Sequence, residues 1–192
     1  MTTLHQIFPT TVAEFDLSNN LAVKNIKQLI DDAETVRAIE HGLVQNGFSS
    51  YGSNMSILNQ PGFESLKSLM LDCVQDYSYQ LSLGELKLSN SWYNKFSHGG
   101  KIQQHRHEGS VCSAAFYPHI EEGSANLRFH SPLKPYRMNE IFGNENYLNT
   151  YFWEFPAKTN TLYIFPSWLE HETNVNESNE RYVISFNTVR AE

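Results

Sequence analysis

The chain has 192 residues with 14 lysines and arginines against 21 aspartates and glutamates, a formal net charge of -7. This length predicts one domain spanning residues 1–192, and the absence of a basic cluster disfavours nucleic acid as a partner. No apolar run approaches the roughly 18 to 20 residues of a membrane span, and the amino-terminal residues do not resemble a signal peptide, so we expect a cytoplasmic protein without a membrane segment.

The first part of the chain, residues 1–87, has a mostly helical pattern and is expected to support the rest. Apolar side chains recur at helical spacing in two segments, and Gly, Ser, Asn and Pro separate them. The predicted elements are an extended opening at 6–15, helices at 21–33 and 63–81, a loop at 47–54 and a turn at 60–62.

The remainder, residues 88–192, switches to short alternating runs separated by turn residues. Such a pattern is typical of an antiparallel barrel or sandwich, and it predicts a mainly β protein with flanking helices. The predicted strands are 88–96, 102–107, 111–117, 125–129, 151–155, 161–165 and 181–188. Residues 131–150 form a long segment rich in Asn, Pro and Gly, which we interpret as a lid over a functional site.

Cys73 falls in a predicted helix and Cys112 in a predicted strand. This arrangement does not suggest a disulfide framework, so both residues are expected to be buried free thiols.

Three histidines suggest a metal site. His105 and His107 are two residues apart in a strand-like run that follows a predicted turn at Gly99-Gly100, so their side chains should leave the same face. His171 follows a later predicted strand and the corner formed by Pro166 to Trp168. Two close ligands and a distant third match the way a β-barrel builds a facial metal site with open coordination positions. Glu108 is the alternative second ligand, but it should point to the opposite face from His107 unless the strand bulges.

An arginine strengthens the case for a small-molecule site. In the last predicted strand, Arg181 and Ser185 share one face, and the apolar residues Tyr182, Ile184 and Phe186 share the other. If the apolar face packs against the helices, Arg181 and Ser185 point into the barrel. A guanidinium there can bind a carboxylate through two hydrogen bonds, and a hydroxyl can add another.

Two further strands contribute candidate binding residues. Ser113 and Ala115 form a narrow face that leaves room for a small cofactor, and the Tyr117 hydroxyl could reach its carboxylate end; close sheet packing explains the small residues equally well. Asn94 is a candidate cosubstrate donor or a structural amide. Trp168 is expected to be a buried hydrophobic plug. The remaining histidines are interpreted as surface or core residues: His5, His41, His98, His119 and His130.

The chain resembles the 2-oxoglutarate- and Fe(II)-dependent oxygenases of bacterial and phage origin. The resemblance rests on SWYNKFSHGGKIQQHRH, SVCSAAFY, SANLRFHSP and LYIFPSWLEHETNVNESNERYVISFN, and also on IFPTTV and GFSSYGSN. It implies a double-stranded β-helix (a cupin-like jelly roll) with the N-terminal helices on one sheet. It also implies Fe(II) at the open end and 2-oxoglutarate with its far carboxylate on Arg181. The family's usual His-x-Asp/Glu is replaced here by His105-Arg106-His107.

The implied activity uses O2 to decarboxylate 2-oxoglutarate to succinate and to hydroxylate a substrate that the sequence does not identify. If the chain is phage-encoded, it would act in the host cytoplasm. Two alternatives remain at this point: a three-histidine cupin-like dioxygenase that does not use 2-oxoglutarate, and a non-catalytic jelly-roll binding module.

Overall fold

Two antiparallel sheets form the centre of the computed structural model, which describes residues 2–3, 5–33, 43–136 and 144–191. The strands are β1 (Ala13–Asp16), β2 (Val44–Ser49), β3 (Leu86–Ile102), β4 (Cys112–Ile120), β5 (Leu127–His130), β6 (Phe152–Phe155), β7 (Thr161–Pro166), β8 (His171–Thr173) and β9 (Arg181–Arg190). The larger sheet has the order β1-β7-β4-β9-β3-β2 and the smaller β6-β5-β8. This is the predicted mainly β, jelly-roll architecture.

Two α-helices, α1 (Ile26–Asp32) and α2 (Glu64–Leu81), pack on the outer face of the larger sheet. Helix α2 forms where it was predicted because Leu66, Met70 and Val74 recur at helical spacing, and all three are fully buried. The helix ends at Leu81, and the next residue, Ser82, has a left-handed backbone (φ 54°) and donates its N–H to carbonyls of the last turn. No helix in the described part of the chain is long and apolar enough to cross a membrane.

Strand β9 lies near the middle of the larger sheet and separates two apolar clusters. Tyr182, Ile184 and Phe186 join the cluster under the helices, whereas Val183 joins the cluster between the two sheets. The predicted alternation along this strand is therefore confirmed. It matters for function because the side chain of Arg181 shares the inner face with Val183.

The predicted helix over 21–33 is wrong as one continuous element. A 3-10 helix occupies Leu21–Val23, and α1 begins only at Ile26. Asn25 between them has a left-handed backbone (φ 63°), which asparagine tolerates better than most residues. The periodicity of the apolar residues continues across this break, so it could not reveal it.

The predicted loop at 47–54 and the predicted turn at Gly99-Gly100 both needed correction. β2 continues through Ser49, and β3 runs unbroken past the two glycines because residues 97–100 form a bulge opposite Asn46. A Cβ at Gly47 would lie 2.6 Å from the Phe96 ring. Glycine there reflects close packing inside a strand, not a turn.

The predicted strand 102–107 is wrong beyond Ile102, and the three-residue strand β8 was not predicted. Of the segment proposed as a lid, residues 137–143 lie outside the described residues. The flanking parts contain a 3-10 helix at Lys134–Tyr136 and a turn at residues 147–149. Cys73 and Cys112 are buried free thiols, as predicted.

Candidate metal centre

The structure brings His105, His107 and His171 together at one end of the space between the sheets. One ring nitrogen from each histidine lies within 4.8 Å of the others. The ring centroids are 4.3 Å apart for His105 and His171, 5.0 Å for His105 and His107, and 5.2 Å for His107 and His171. Three imidazoles at these distances can face one metal ion and leave its other side open.

Backbone pairing positions these side chains. His105 and His171 form an isolated antiparallel bridge, in which the His105 N–H donates to the His171 carbonyl (3.0 Å) and the His171 N–H to the His105 carbonyl (2.9 Å). The His107 N–H donates to the carbonyl of Ser167 at 2.9 Å. His105 and His107 therefore follow an extended path beyond the end of β3, and the alternation on which the prediction relied is kept without a regular strand.

Burial favours the neutral form of all three rings. Burial lowers the pKa of His105, lowers that of His107 to about 4, and lowers that of His171 well below its usual value. In two of them a backbone carbonyl also accepts a hydrogen bond from Nδ1: Gln103 for His105 (2.7 Å) and Leu169 for His171 (2.9 Å). A proton held on Nδ1 leaves the lone pair of Nε2 free for a metal.

Glu108, the alternative ligand, points away from this site. Its side chain is 81% exposed and one carboxylate oxygen lies 3.2 Å from Nη2 of Arg106. Within the described residues, the group of metal-ligating side chains at this end of the sheets contains only the three histidines.

A narrow cavity of about 140 Å³ adjoins the histidines. All seven site residues proposed from the sequence line it: His105, His107, His171, Arg181, Ser185, Tyr117 and Asn94. Because typical pockets for drug-sized ligands hold roughly 300 to 1,000 Å³, the enclosed part suits one small molecule.

Arg181 lies deep in this cavity and is only 1% exposed. Its Nε donates to the Ala125 carbonyl (3.0 Å) and one terminal nitrogen donates to the Tyr117 hydroxyl (3.4 Å). The other terminal nitrogen, Nη1, is buried and has no hydrogen-bond partner among the described residues. Burial lowers the pKa of this guanidinium, although arginine stays protonated in proteins.

The register of β9 places the polar residues along the cavity. Ser185 lies opposite Trp92 and Ala115, at the level of the histidines, because the Trp92 ring is 5.7 Å from that of His107. Arg181 lies four residues before Ser185 on the same strand, which corresponds to about 13 Å of strand length. The cavity thus runs from the histidines to the guanidinium.

Asn94 occupies an intermediate level, opposite Val183. The side chain is 2% exposed, and its Oδ1 has no hydrogen-bond partner within the described part of the chain. Because rotation about the Cβ–Cγ bond exchanges the amide oxygen and nitrogen, this residue can offer either a donor or an acceptor to the cavity.

Some features of the site were not predicted. The carbonyl groups that anchor two histidines belong to Gln103 and Leu169, and backbone groups leave no signal in a sequence. Trp92 shares the strand face of Asn94, and that alternation could have marked it as a cavity residue. Trp168, expected to be a buried plug, is 53% exposed, so that prediction is wrong.

A second group of metal-ligating side chains, His119, Glu121 and Glu180, lies where β4 ends and β9 begins. Its carboxylates already have partners. Lys27 lies 3.2 Å from Glu180, and Glu121 accepts the backbone N–H groups of Asn179 and Glu180. This group therefore does not resemble the open arrangement of the three histidines.

A family model described as "Putative 2OG-Fe(II) oxygenase" matches residues 90–187, about half of the chain. The matched part contains all seven candidate site residues. No match was found among curated protein sequences.

Solved structures share the fold at low sequence identity. A prolyl-4-hydroxylase from Pseudomonas putida superposes with a TM-score of 0.64 at 12% identity, covering 95% of this chain and 94% of that one. HygX from Streptomyces hygroscopicus, solved with nickel and 2-oxoglutarate bound, gives 0.65 at 10% identity over 95% of this chain and 84% of that one. The α-ketoglutarate-dependent epimerase SnoN from nogalamycin biosynthesis gives 0.69 at 11% identity over 95% and 77%.

Proposed function

The chain belongs to the 2OG-Fe(II) oxygenase family, and from this we propose that His105, His107 and His171 hold its Fe(II) while Arg181 binds the far carboxylate of 2-oxoglutarate. The protein is accordingly a 2-oxoglutarate- and Fe(II)-dependent oxygenase whose primary substrate is unidentified.

The donor set of the three histidines fits Fe(II). Imidazole nitrogen is a suitable ligand for iron, and the ligand must be neutral to offer its lone pair. The burial that depresses the pKa values of these rings keeps them in that form. All three ligands lie to one side, so positions remain for a chelating cosubstrate and for oxygen.

The unpartnered Nη1 of Arg181 is the single observation that carries the assignment of 2-oxoglutarate. An uncompensated charge inside a protein is strongly unfavourable, at several kcal/mol, unless an anion pairs with it. Among the described residues, the hydrogen-bond partners of Arg181 are neutral: the Ala125 carbonyl and the Tyr117 hydroxyl. A small dicarboxylate that reaches from the histidines to Arg181 would supply the missing anion and fill a cavity of about 140 Å³.

Three more residues complete this binding site in the proposal. Tyr117 orients the guanidinium through its hydroxyl, which leaves its own O–H free to donate to the carboxylate. Ser185 offers a hydroxyl at the level of the histidines, and the Asn94 amide lies between the two ends of the cavity. Together they bind and orient the cosubstrate by hydrogen bonds.

When bound, the metal supplies the oxygen chemistry, in which decarboxylation of 2-oxoglutarate to succinate is coupled to hydroxylation of the primary substrate. The chain contributes orientation and exclusion of water. Phe129 and Phe165 pack beside His171, at 6.1 and 4.8 Å between ring centroids, and make the surroundings of that ligand apolar. Such surroundings strengthen the electrostatic contacts that hold the cosubstrate.

Succinate formation tests this function. Fe(II)-loaded protein incubated with 2-oxoglutarate and O2 should release succinate, and the His171→Ala variant should release none above background. A three-histidine dioxygenase that does not use 2-oxoglutarate, or a non-catalytic binding module, would release none in either form. Absence of succinate from well-loaded wild-type protein would therefore refute the proposal.

We propose a class of primary substrate from the net charge of the chain, and a cellular location from the state of its cysteines. The formal charge of -7 disfavours a nucleic-acid target, which leaves a small metabolite or a protein side chain. The two buried free thiols are consistent with action in the reducing cytoplasm. Cell fractionation would test the location.

A further inference from the structure

The three histidines of the metal centre are not held equally by the protein. The rings of His105 and His171 are each anchored by a hydrogen bond from Nδ1 to a backbone carbonyl, of Gln103 and of Leu169. His107 has no ring hydrogen bond to any of the described residues. The orientation of its ring is therefore set by packing and not by a hydrogen bond of the ring.

The backbone shows the same asymmetry. His105 and His171 are paired with each other by two hydrogen bonds, and His171 is the first residue of β8. His107 has one backbone bond, to Ser167, and lies next to the turn that contains Glu108 and Gly109, where the backbone is left-handed (φ 76°). A ligand beside a turn can withdraw without disturbing a paired strand.

Packing around His107 limits its ring but does not fix its tautomer. Among the described residues, its aromatic neighbour besides the other two histidines is Trp92, at 5.7 Å between centroids and a tilt of 55°. Trp92 is 5% exposed and contacts Tyr51 edge-on at 5.2 Å, so its own ring is well packed and restricts the His107 ring on the side that faces it. Such a contact has no directional bond to either ring nitrogen.

We propose that His107 is the exchangeable ligand of this centre, and that His105 and His171 form its fixed part. The coordination position that His107 occupies would then be open to an external donor, a neutral nitrogen ligand such as imidazole or a small carboxylate such as formate. The inference rests on the proposed function, because it requires these three histidines to bind the metal.

Metal titration of matched variants tests the inference without turnover. Co(II) binding is followed by visible absorption in wild-type protein and in the His105→Ala, His107→Ala and His171→Ala variants, with Glu108→Gln as the control next to the site. Hydrogen-bonded partners of metal-ligating histidines typically contribute 10- to 100-fold to metal affinity. We therefore expect His107→Ala to bind Co(II) about 10 to 100 times more tightly than either other alanine variant, and added imidazole to restore binding in it alone.

The outcomes distinguish a failure of the inference from a failure of the proposed function. Equal loss of Co(II) in all three alanine variants, each shown to be folded by circular dichroism, would overturn the inference and leave the three-histidine site standing. Failure of wild-type protein to bind Co(II) would overturn both. Loss of metal only in Glu108→Gln would show that the third ligand is a carboxylate.

A second measurement uses the unaltered, metal-free protein. Nitrogen-15 NMR of the imidazole rings reports which nitrogen carries the proton. His105 and His171 should each show the single tautomer protonated at Nδ1, whereas His107 should show a mixture of tautomers. A single, Nδ1-protonated form of His107 would contradict the inference.

Discussion

Arg181 is buried beneath two aromatic rings, with its guanidinium carbon 5.5 Å from the centroid of Phe96 and 5.1 Å from that of Tyr117. Contacts with ring faces and neutral oxygens offset part of the cost of burying this charge, but they leave the net charge in place. In the proposed site, the carboxylate of a bound cosubstrate would offset the remaining cost.

Replacing Arg181 should weaken the binding of 2-oxoglutarate. A charge-assisted hydrogen bond is worth about 1.5 to 3 kcal/mol, so Arg181→Ala should reduce the affinity roughly tenfold to a hundredfold. Isothermal titration with 2-oxoglutarate at fixed Fe(II) measures it. Arg190→Ala, an exposed position on the same strand, is the control and should bind normally. Equal affinity in the Arg181 variant would remove this residue from the site.

Replacing His171 should abolish iron binding. His171 is only 6% exposed and its ring is anchored by a hydrogen bond to the Leu169 carbonyl, so removing the ring removes one of the three ligands proposed here. Elemental analysis should find about one iron per chain in wild-type protein and almost none in His171→Ala. His130→Ala, on the same small sheet and outside the site, is the control. Equal iron in both variants would contradict the assignment.

Among the secondary-structure elements, those with a clear periodicity were predictable and those shaped by a close contact were not. Helix α2 and strands β4, β7 and β9 were predicted within a few residues because each buries one consistent face. β8 is too short for its three residues to show alternation. The β3 bulge depends on Phe96, whose ring lies where a Cβ of Gly47 or Gly100 would stand.

The site shows the same division. The side chains that line the cavity could be predicted from the alternation of side chains along an extended chain. This alternation points Arg181 and Ser185 inward on β9, and it places His105 and His107, which are two residues apart, on one side. Which of these histidines is anchored depends on the backbone carbonyls of Gln103 and Leu169. Every residue has such a carbonyl group, so the sequence does not mark these two. Only the folded backbone decides where such groups point.

Helix α2 should account for a large share of the stability of the fold. Met70 is fully buried between α2 and the larger sheet, so Met70→Ala should lower the free energy of unfolding by about 2 to 5 kcal/mol. Tyr79→Ala on the same helix, at a side chain that is 86% exposed, should change it by about 0.5 kcal/mol or less. Urea titration of the metal-free protein compares the two, and similar losses would show that α2 is not packed as described.

Across the whole molecule, the larger sheet separates two apolar environments. One lies under the helices and consists of packed apolar residues such as Ile30, Leu66 and Phe186, which are fully buried. The other, between the sheets, combines packing residues such as Phe129 and Phe165 with the three histidines. Because the histidines belong to this second environment, a change in their protonation also changes the stability of the fold.

The metal-free protein should lose stability as the pH falls from about 6.5 towards 5. The pKa of each site histidine is lower in the folded protein than the usual 6.5, and for His107 it is about 4. In this window the unfolded chain binds protons that the folded chain does not, so the free energy of unfolding decreases with falling pH. The carboxylates of Asp31 and Glu154, whose pKa values are lowered, act only below about pH 4.5.

Thermal melting of the metal-free protein between pH 7.5 and 5 checks this expectation. The midpoint should fall with pH in wild-type protein and less steeply in His171→Gln, which cannot take up a proton at that position. Parallel curves for the two proteins would mean that His171 does not contribute to the acid sensitivity.

The neutrality of the three imidazoles also has a consequence for electron loss. If these imidazoles hold Fe(II), as proposed, they would supply no negative charge to favour the ferric state, as a carboxylate ligand would. The reduction potential of such a centre should therefore lie above that of a site with two histidines and one carboxylate.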